Sequence, residues 1–114
     1  MVIRRSEMKV ETKEKLRGGK GTSYITHLVD GSTQKNARLF SQMTLNAGDS
    51  IGCHPHENET EYYFILSGSG TVNDDGKEVK VEAGDSVVTG NGAGHSIENT
   101  GTVPLVLYAI IVTY

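Results

Sequence analysis

The chain has 114 residues, of which 36% are apolar, and its 14 glycines bring the nonpolar share to about half, as in a globular protein. A net charge of −3 excludes the basic footprint of a nucleic-acid binder, and no apolar run reaches the roughly 18 residues that a membrane helix needs. One cysteine, Cys53, rules out an internal disulfide, and Met1 to Lys20 is charged throughout with no apolar core of a signal peptide, so a cytoplasmic location is expected.

Residues 1–36 differ from the rest. Seven of the eleven basic residues fall before residue 21, interleaved with Glu7, Glu11 and Glu14. Met8, Val10 and Leu16 are too few for the buried stripe of a helix, so an extended arm with an edge strand is expected. Arg17 to Thr22 is glycine-rich and lacks the spacing of a phosphate loop, which leaves a flexible turn or bulge. Tyr24 to Val29 reads as a strand.

From Ala37 onward strand follows strand. ARLFSQMTL (37–45) ends in the turn Asn46-Ala47-Gly48-Asp49, and Ser50 to Pro55 is short. EYYFIL (61–66) is aromatic and β-branched. Asn73-Asp74-Asp75-Gly76 is a hairpin signal, because Asp-Gly tolerates the positive φ of a type I′ turn, and Lys77 to Val81 is the return strand. Ser86 to Thr89, His95 to Glu98 and the apolar Leu105 to Tyr114 complete the set. Strands about every 8–12 residues with turns between them imply a sandwich or barrel over 37–114.

Three histidines sit in that part. His54 and His56 are two apart, so on a strand both imidazoles face one side, with Cα atoms roughly 6.5–7 Å apart. That spacing lets two nitrogens meet one metal ion at about 2.0–2.1 Å each. Glu61 follows the turn 57–60, and His95 follows a glycine-rich bend that permits close backbone approach. Three imidazoles and a carboxylate form a borderline donor set that suits Mn, Fe, Co, Ni, Cu or Zn without selecting among them.

With its glycines, the first segment is Gly48-x5-His54-x-His56-x4-Glu61-x6-Gly68, and the second is Gly84-x5-Gly90-x-Gly92-x2-His95-x3-Asn99. These resemble the two motifs of the cupin superfamily. The one departure is Gly90, where that family usually has Pro. The resemblance implies an all-β, double-stranded β-helix (jelly-roll) barrel over 37–114, preceded by the extended N-terminal arm (1–36). It implies one divalent metal ion on His54, His56, Glu61 and His95. It further implies a small-molecule enzyme of dioxygenase, decarboxylase or isomerase type acting on a carboxylate- or sugar-like substrate, or, in the alternative, a non-catalytic small-ligand or metal-binding module. Oxalate decarboxylases, which it also resembles, carry an anion-anchoring Arg three places before the first metal histidine, where this chain has Ile51. They also use an acid on a lid loop for which His95 to Tyr114 leaves no room, so the resemblance is expected to carry the fold and the metal but not the oxalate reaction.

Alternation extends the site. If Glu61 points inward, so do Tyr63 and Ile65, while Tyr62, Phe64 and Leu66 face away. On 37–45, either Arg38, Phe40, Gln42 and Thr44 or Leu39, Ser41, Met43 and Leu45 line the pocket. Tyr63, as a hydrogen-bond donor, and Gln42, beside an anionic ligand, are the candidate catalytic side chains. Cys53 is expected as a small buried filler, Tyr108 and Tyr114 as core edges or pocket walls, His27 in a structural or surface role, and Asp49 and Asp85 as turn residues. A homodimer is expected, because a partner's sheet would cover the arm's exposed edge.

Overall fold

Alternating apolar and polar residues, with Gly and Asn at the bends, make nearly every element of this chain a strand. The computed structural model describes residues 1–114. Ten strands form: β1 (Lys9–Glu14), β2 (Thr22–Val29), β3 (Ala37–Leu45), β4 (Ser50–Pro55), β5 (Glu59–Ser67), β6 (Ser69–Asp74), β7 (Lys77–Glu82), β8 (Ser86–Gly90), β9 (Gly94–Glu98) and β10 (Leu105–Thr113). Three short 3-10 turns are the only helical segments.

The strands divide into a six-stranded sheet, β1-β2-β3-β10-β5-β8, and a four-stranded sheet, β4-β9-β6-β7, with every pairing antiparallel. The inner faces enclose one core. β10 lies centrally, and its Leu105, Leu107, Ala109 and Ile111 are buried while Val106, Tyr108 and Ile110 are not. Ile65 from β5, Ile97 from β9 and Val72 from β6 pack into the same cluster. Each fully buried leucine stabilises the fold by about 1.5–3 kcal/mol relative to exposure.

The N-terminal arm is extended, and it folds onto the chain's own sheet rather than standing off. β2 pairs with β3 from Ser23 opposite Leu45 to Val29 opposite Phe40, and Ile25 enters the core. Packing therefore continues across residues 36 and 37. The glycine-rich turn between β1 and β2 is pinned. A side chain at Gly19 would strike the Ser50 carbonyl, and one at Gly52 would strike the Arg17 carbonyl, so residues 17–19 lie hard against β4. The hairpin at Asp75-Gly76 forms as expected, with φ of 49° and 97°.

A bulge and two tyrosines depart from the expectations. Between Ile51 and His54, β4 carries one residue more than β9 opposite. Ile51 and His54 both point inward, and the bulge turns Cys53 out to solvent instead of burying it. Tyr108 lies on the outer face of β10, and Tyr114 is 70% exposed, its hydroxyl bonded to Thr60, so neither is a core residue.

Candidate metal centre

His54 and His95 are direct cross-strand partners on β4 and β9. His56 follows β4 after Pro55 and turns back to the same side. Glu61 arrives from the opposite sheet. β5 begins at Glu59, two residues earlier than the sequence suggests, so Glu59 and Glu61 share a face beside His56. All four expected ligands are buried, and one donor atom from each lies within 4.8 Å of every other.

The inner atoms converge closely. His95 Nε2 is 3.0 Å from His54 Nε2, 3.1 Å from His56 Nε2 and 2.8 Å from Glu61 Oε1. Glu61 Oε1 lies 2.9 Å from His56 Nε2 and 3.5 Å from His54 Nε2. The outer nitrogens are all engaged elsewhere. His54 Nδ1 donates to the Gly52 carbonyl at 2.7 Å, His56 Nδ1 to Glu59 Oε2 at 2.5 Å, and His95 Nδ1 meets Thr89 Oγ1 at 2.8 Å. A carbonyl and a carboxylate only accept, so His54 and His56 carry their proton on Nδ1 when neutral. In that tautomer their Nε2 lone pairs have no hydrogen to give Glu61 Oε1, and only His95, whose Nδ1 partner is a hydroxyl that can donate or accept, can supply one from Nε2. This convergence of lone pairs could hold a cation, and the donor set fits a divalent transition metal.

The electrostatics agree. Burial would push the Glu61 carboxyl up, but the imidazoles of His54, His56 and His95 packed against it outweigh that and hold Glu61 well below the ordinary carboxylate range. His56 is raised, chiefly by Glu61, against the cost of burial and with help from Glu59. His95 is lowered, chiefly by burial. Tyr63 is pushed well above its ordinary value, first by burial and then by the Glu61 charge, so it stays a neutral donor.

A cavity of about 410 Å³ opens beside the cluster. Tyr63 lines it as alternation requires, and its ring stacks on His95 with centroids 4.8 Å apart. On β3 the inward set is Leu39, Ser41, Met43 and Leu45. Gln42 therefore points away and accepts a 3.2 Å hydrogen bond from Arg5, outside the cavity, which removes it from the site.

Several lining residues escape sequence reasoning. Glu11, Lys13, Arg17 and His27 come from the N-terminal strands and the turn between them. His27 Nε2 and Glu11 Oε1 are 2.6 Å apart, and that hydrogen bond is the main reason Glu11 titrates low. Arg38 clasps Glu59 through two hydrogen bonds of 2.7 Å. For Glu11, Lys13 and Arg17 only the charge of 1–20 hinted at such a place, since the pairing of β1 with β2 and of β2 with β3 is what carries the N-terminal strands to the mouth.

The family model for the cupin domain matches residues 41–111. The chain belongs to the cupin family. This cupin is 46% identical over 113 residues to the oxalate-binding protein of Thermotoga maritima, covering 98% of the chain and 93% of that protein. The tetracenomycin polyketide synthase protein TcmJ of Streptomyces glaucescens is 30% identical over 87 residues, covering 76% of this cupin and 56% of TcmJ. Among solved structures, one described as a predicted oxalate decarboxylase from Thermotoga maritima superposes over the whole of both chains with a TM-score of 0.93 at 44% identity. The polyketide cyclase RemF of Streptomyces resistomycificus shares the fold, with a TM-score of 0.74 at 16% identity over 99% of this cupin and 78% of RemF. No helix is long and apolar enough to cross a membrane.

Proposed function

We propose that this cupin holds one divalent transition-metal ion on His54, His56, Glu61 and His95, binds a small carboxylate of the oxalate type beside it, and turns that carboxylate over. The observation that carries this reading is the convergence of three Nε2 atoms and one carboxylate oxygen at the wall of a cavity rimmed by cations. Lys13 stands 3.7 Å from Glu11, and Arg38 is held by Glu59. Arg17 is the cation of that wall with no carboxylate partner. The name of the Thermotoga maritima relative points to the same ligand class.

A bound divalent ion would supply Lewis acidity and open coordination positions for a chelating acid. The chain's own residues do the rest. Arg17 offers a guanidinium to the carboxylate. The Tyr63 hydroxyl donates a hydrogen bond. The His27–Glu11 pair, joined by a 2.6 Å hydrogen bond, gives or takes a proton at the bound carboxylate. Leu39, Met43, Ile51 and Ile111 keep the wall apolar and strengthen every charge interaction within it.

Calorimetry with oxalate tests the reading. Manganese-loaded protein binds oxalate, metal-free protein does not, and Arg17→Gln weakens binding about tenfold or more, the scale of one charge-assisted hydrogen bond. Equal affinity with and without metal would contradict it. A second reading, binding without turnover, is favoured by Ile51 in the place of an anchoring Arg. Metal-loaded protein that binds oxalate yet releases neither formate nor carbon dioxide and consumes no oxygen would establish that reading.

We further propose a homodimer through the outer face of the six-stranded sheet. Phe40, Ile110, Tyr62 and Val88 stand in register across four strands there, and Phe64 stacks on Tyr62. An uncharged, apolar row of this kind suits a second copy of itself better than a charged partner. The exposed lone thiol of Cys53 fits the reducing cytoplasm.

A further inference from the structure

On β3, strict alternation would place Arg38 outside with Phe40 and Gln42. The pairing with β10 shows why it is not there. Leu39 stands opposite Ile111 and Ala37 opposite Val112, so Arg38 is the extra residue of a β-bulge. Bulges re-aim side chains, and this one turns Arg38 into the cavity wall. The bulge is backed by Gly31, where any side chain would collide with the Arg38 carbonyl. Arg38 reaches past β10 to the first residue of β5, Glu59, and grips both oxygens through Nε and Nη2 at 2.7 Å each. Glu59 Oε2 in turn accepts from His56 Nδ1, and the His56 side chain is 1% exposed.

Given the metal centre argued above, we propose that Arg38 and Glu59 are positioning residues for that centre. The Arg38 fork fixes the plane of the Glu59 carboxylate. Glu59 then fixes the ring orientation of His56 and keeps its proton on Nδ1, leaving Nε2 free as a ligand. A carboxylate partner also makes that imidazole a stronger donor than one bonded to a neutral group. His54, on a carbonyl, and His95, on a hydroxyl, lack this, so His56 is the anchoring imidazole of the three.

Zinc alone is the probe. Its affinity is measured calorimetrically in the wild type, Glu59→Leu, Glu59→Gln, Arg38→Leu and Arg38→Lys, and the His56 tautomer is read by nitrogen NMR on the metal-free proteins, on the alkaline side of imidazole titration. Glu59→Leu weakens zinc binding about 10–100-fold and loses the Nδ1–H tautomer. Glu59→Gln keeps an accepting oxygen, so it retains the tautomer and falls between the two in affinity. Arg38→Leu weakens binding less than Glu59→Leu, and Arg38→Lys, with charge but no fork, recovers part of the difference. Folded Glu59→Leu and Glu59→Gln proteins that bind zinc as the wild type does, or an unchanged His56 tautomer in Glu59→Leu, would overturn the inference. Wild-type protein that takes up no zinc would instead overturn the metal centre on which it rests.

Discussion

Glu59 joins two kinds of work in one carboxylate, since the group that orients His56 also ties β3 to β5. Its carboxyl is lowered from 4.5 to about 2, first by the Arg38 hydrogen bonds, against burial, and then by His56. A folded-state value below the unfolded one means that ionised Glu59 stabilises the fold above pH 4.5, and that this contribution is lost as the pH falls toward about 2. Urea unfolding of metal-free protein should therefore show the wild type's advantage over Glu59→Gln shrinking steadily across that interval. Parallel curves would show that the pair contributes nothing. Ser23 makes the opposite case. Its hydroxyl is buried and has no partner. Ser23→Ala should leave stability unchanged or raise it by about 1 kcal/mol, because an unsatisfied buried hydroxyl is costly, and thermal unfolding checks the sign. A clear loss would mean that the hydroxyl is satisfied after all.

Among the elements, the turn between β9 and β10 shows how a motif residue can serve the fold. Asn99 is buried and donates to the carbonyls of Leu45 at 2.9 Å and Val103 at 2.8 Å, while its oxygen accepts from the Gly101 amide. It fastens this turn to the end of β3. Asn99→Leu should cost about 2–4 kcal/mol, as buried backbone groups lose their partners, and denaturant unfolding reads it directly. A loss below about 0.5 kcal/mol would place Asn99 among ordinary surface positions. Period-2 alternation made much of this legible in advance. The inward set Glu61, Tyr63 and Ile65 and the Asp75-Gly76 hairpin follow from local rules, and the buried cluster of His54, His56, Glu61 and His95 follows from motif spacing. Two of the misplaced residues share a cause. Cys53 and Arg38 sit at bulges, where one extra residue reverses the faces, and no local pattern announces a bulge. Gln42 fell on the wrong side because the sequence left the register of β3 open, although the Leu39, Ser41, Met43 and Leu45 set is the more apolar.

For the whole molecule, the N-terminal strands are the part that sequence reasoning underestimated. Their charges look like a solvated arm, yet β2 pairs with β3 and carries Ile25 into the core and His27 to the cavity. That pairing is non-local, so it could not be inferred from residues 1–36 alone. The proposed dimer belongs to this scale too. Light scattering should give twice the chain mass for the wild type and a monomer for Val88→Lys, whose exposed position on the outer sheet tolerates the change in the isolated fold. A monomeric wild type would leave that apolar face without a second copy. The metal centre is the claim on which the functional account turns. The direct test is elemental analysis, with X-ray absorption at the metal edge, of protein purified without a chelating tag or column. The account predicts about one transition-metal ion per chain in a nitrogen- and oxygen-donor shell, largely lost in His95→Ala. Wild-type protein that contains no such ion and takes up none on incubation, or a His95→Ala variant that keeps the full complement, would contradict it.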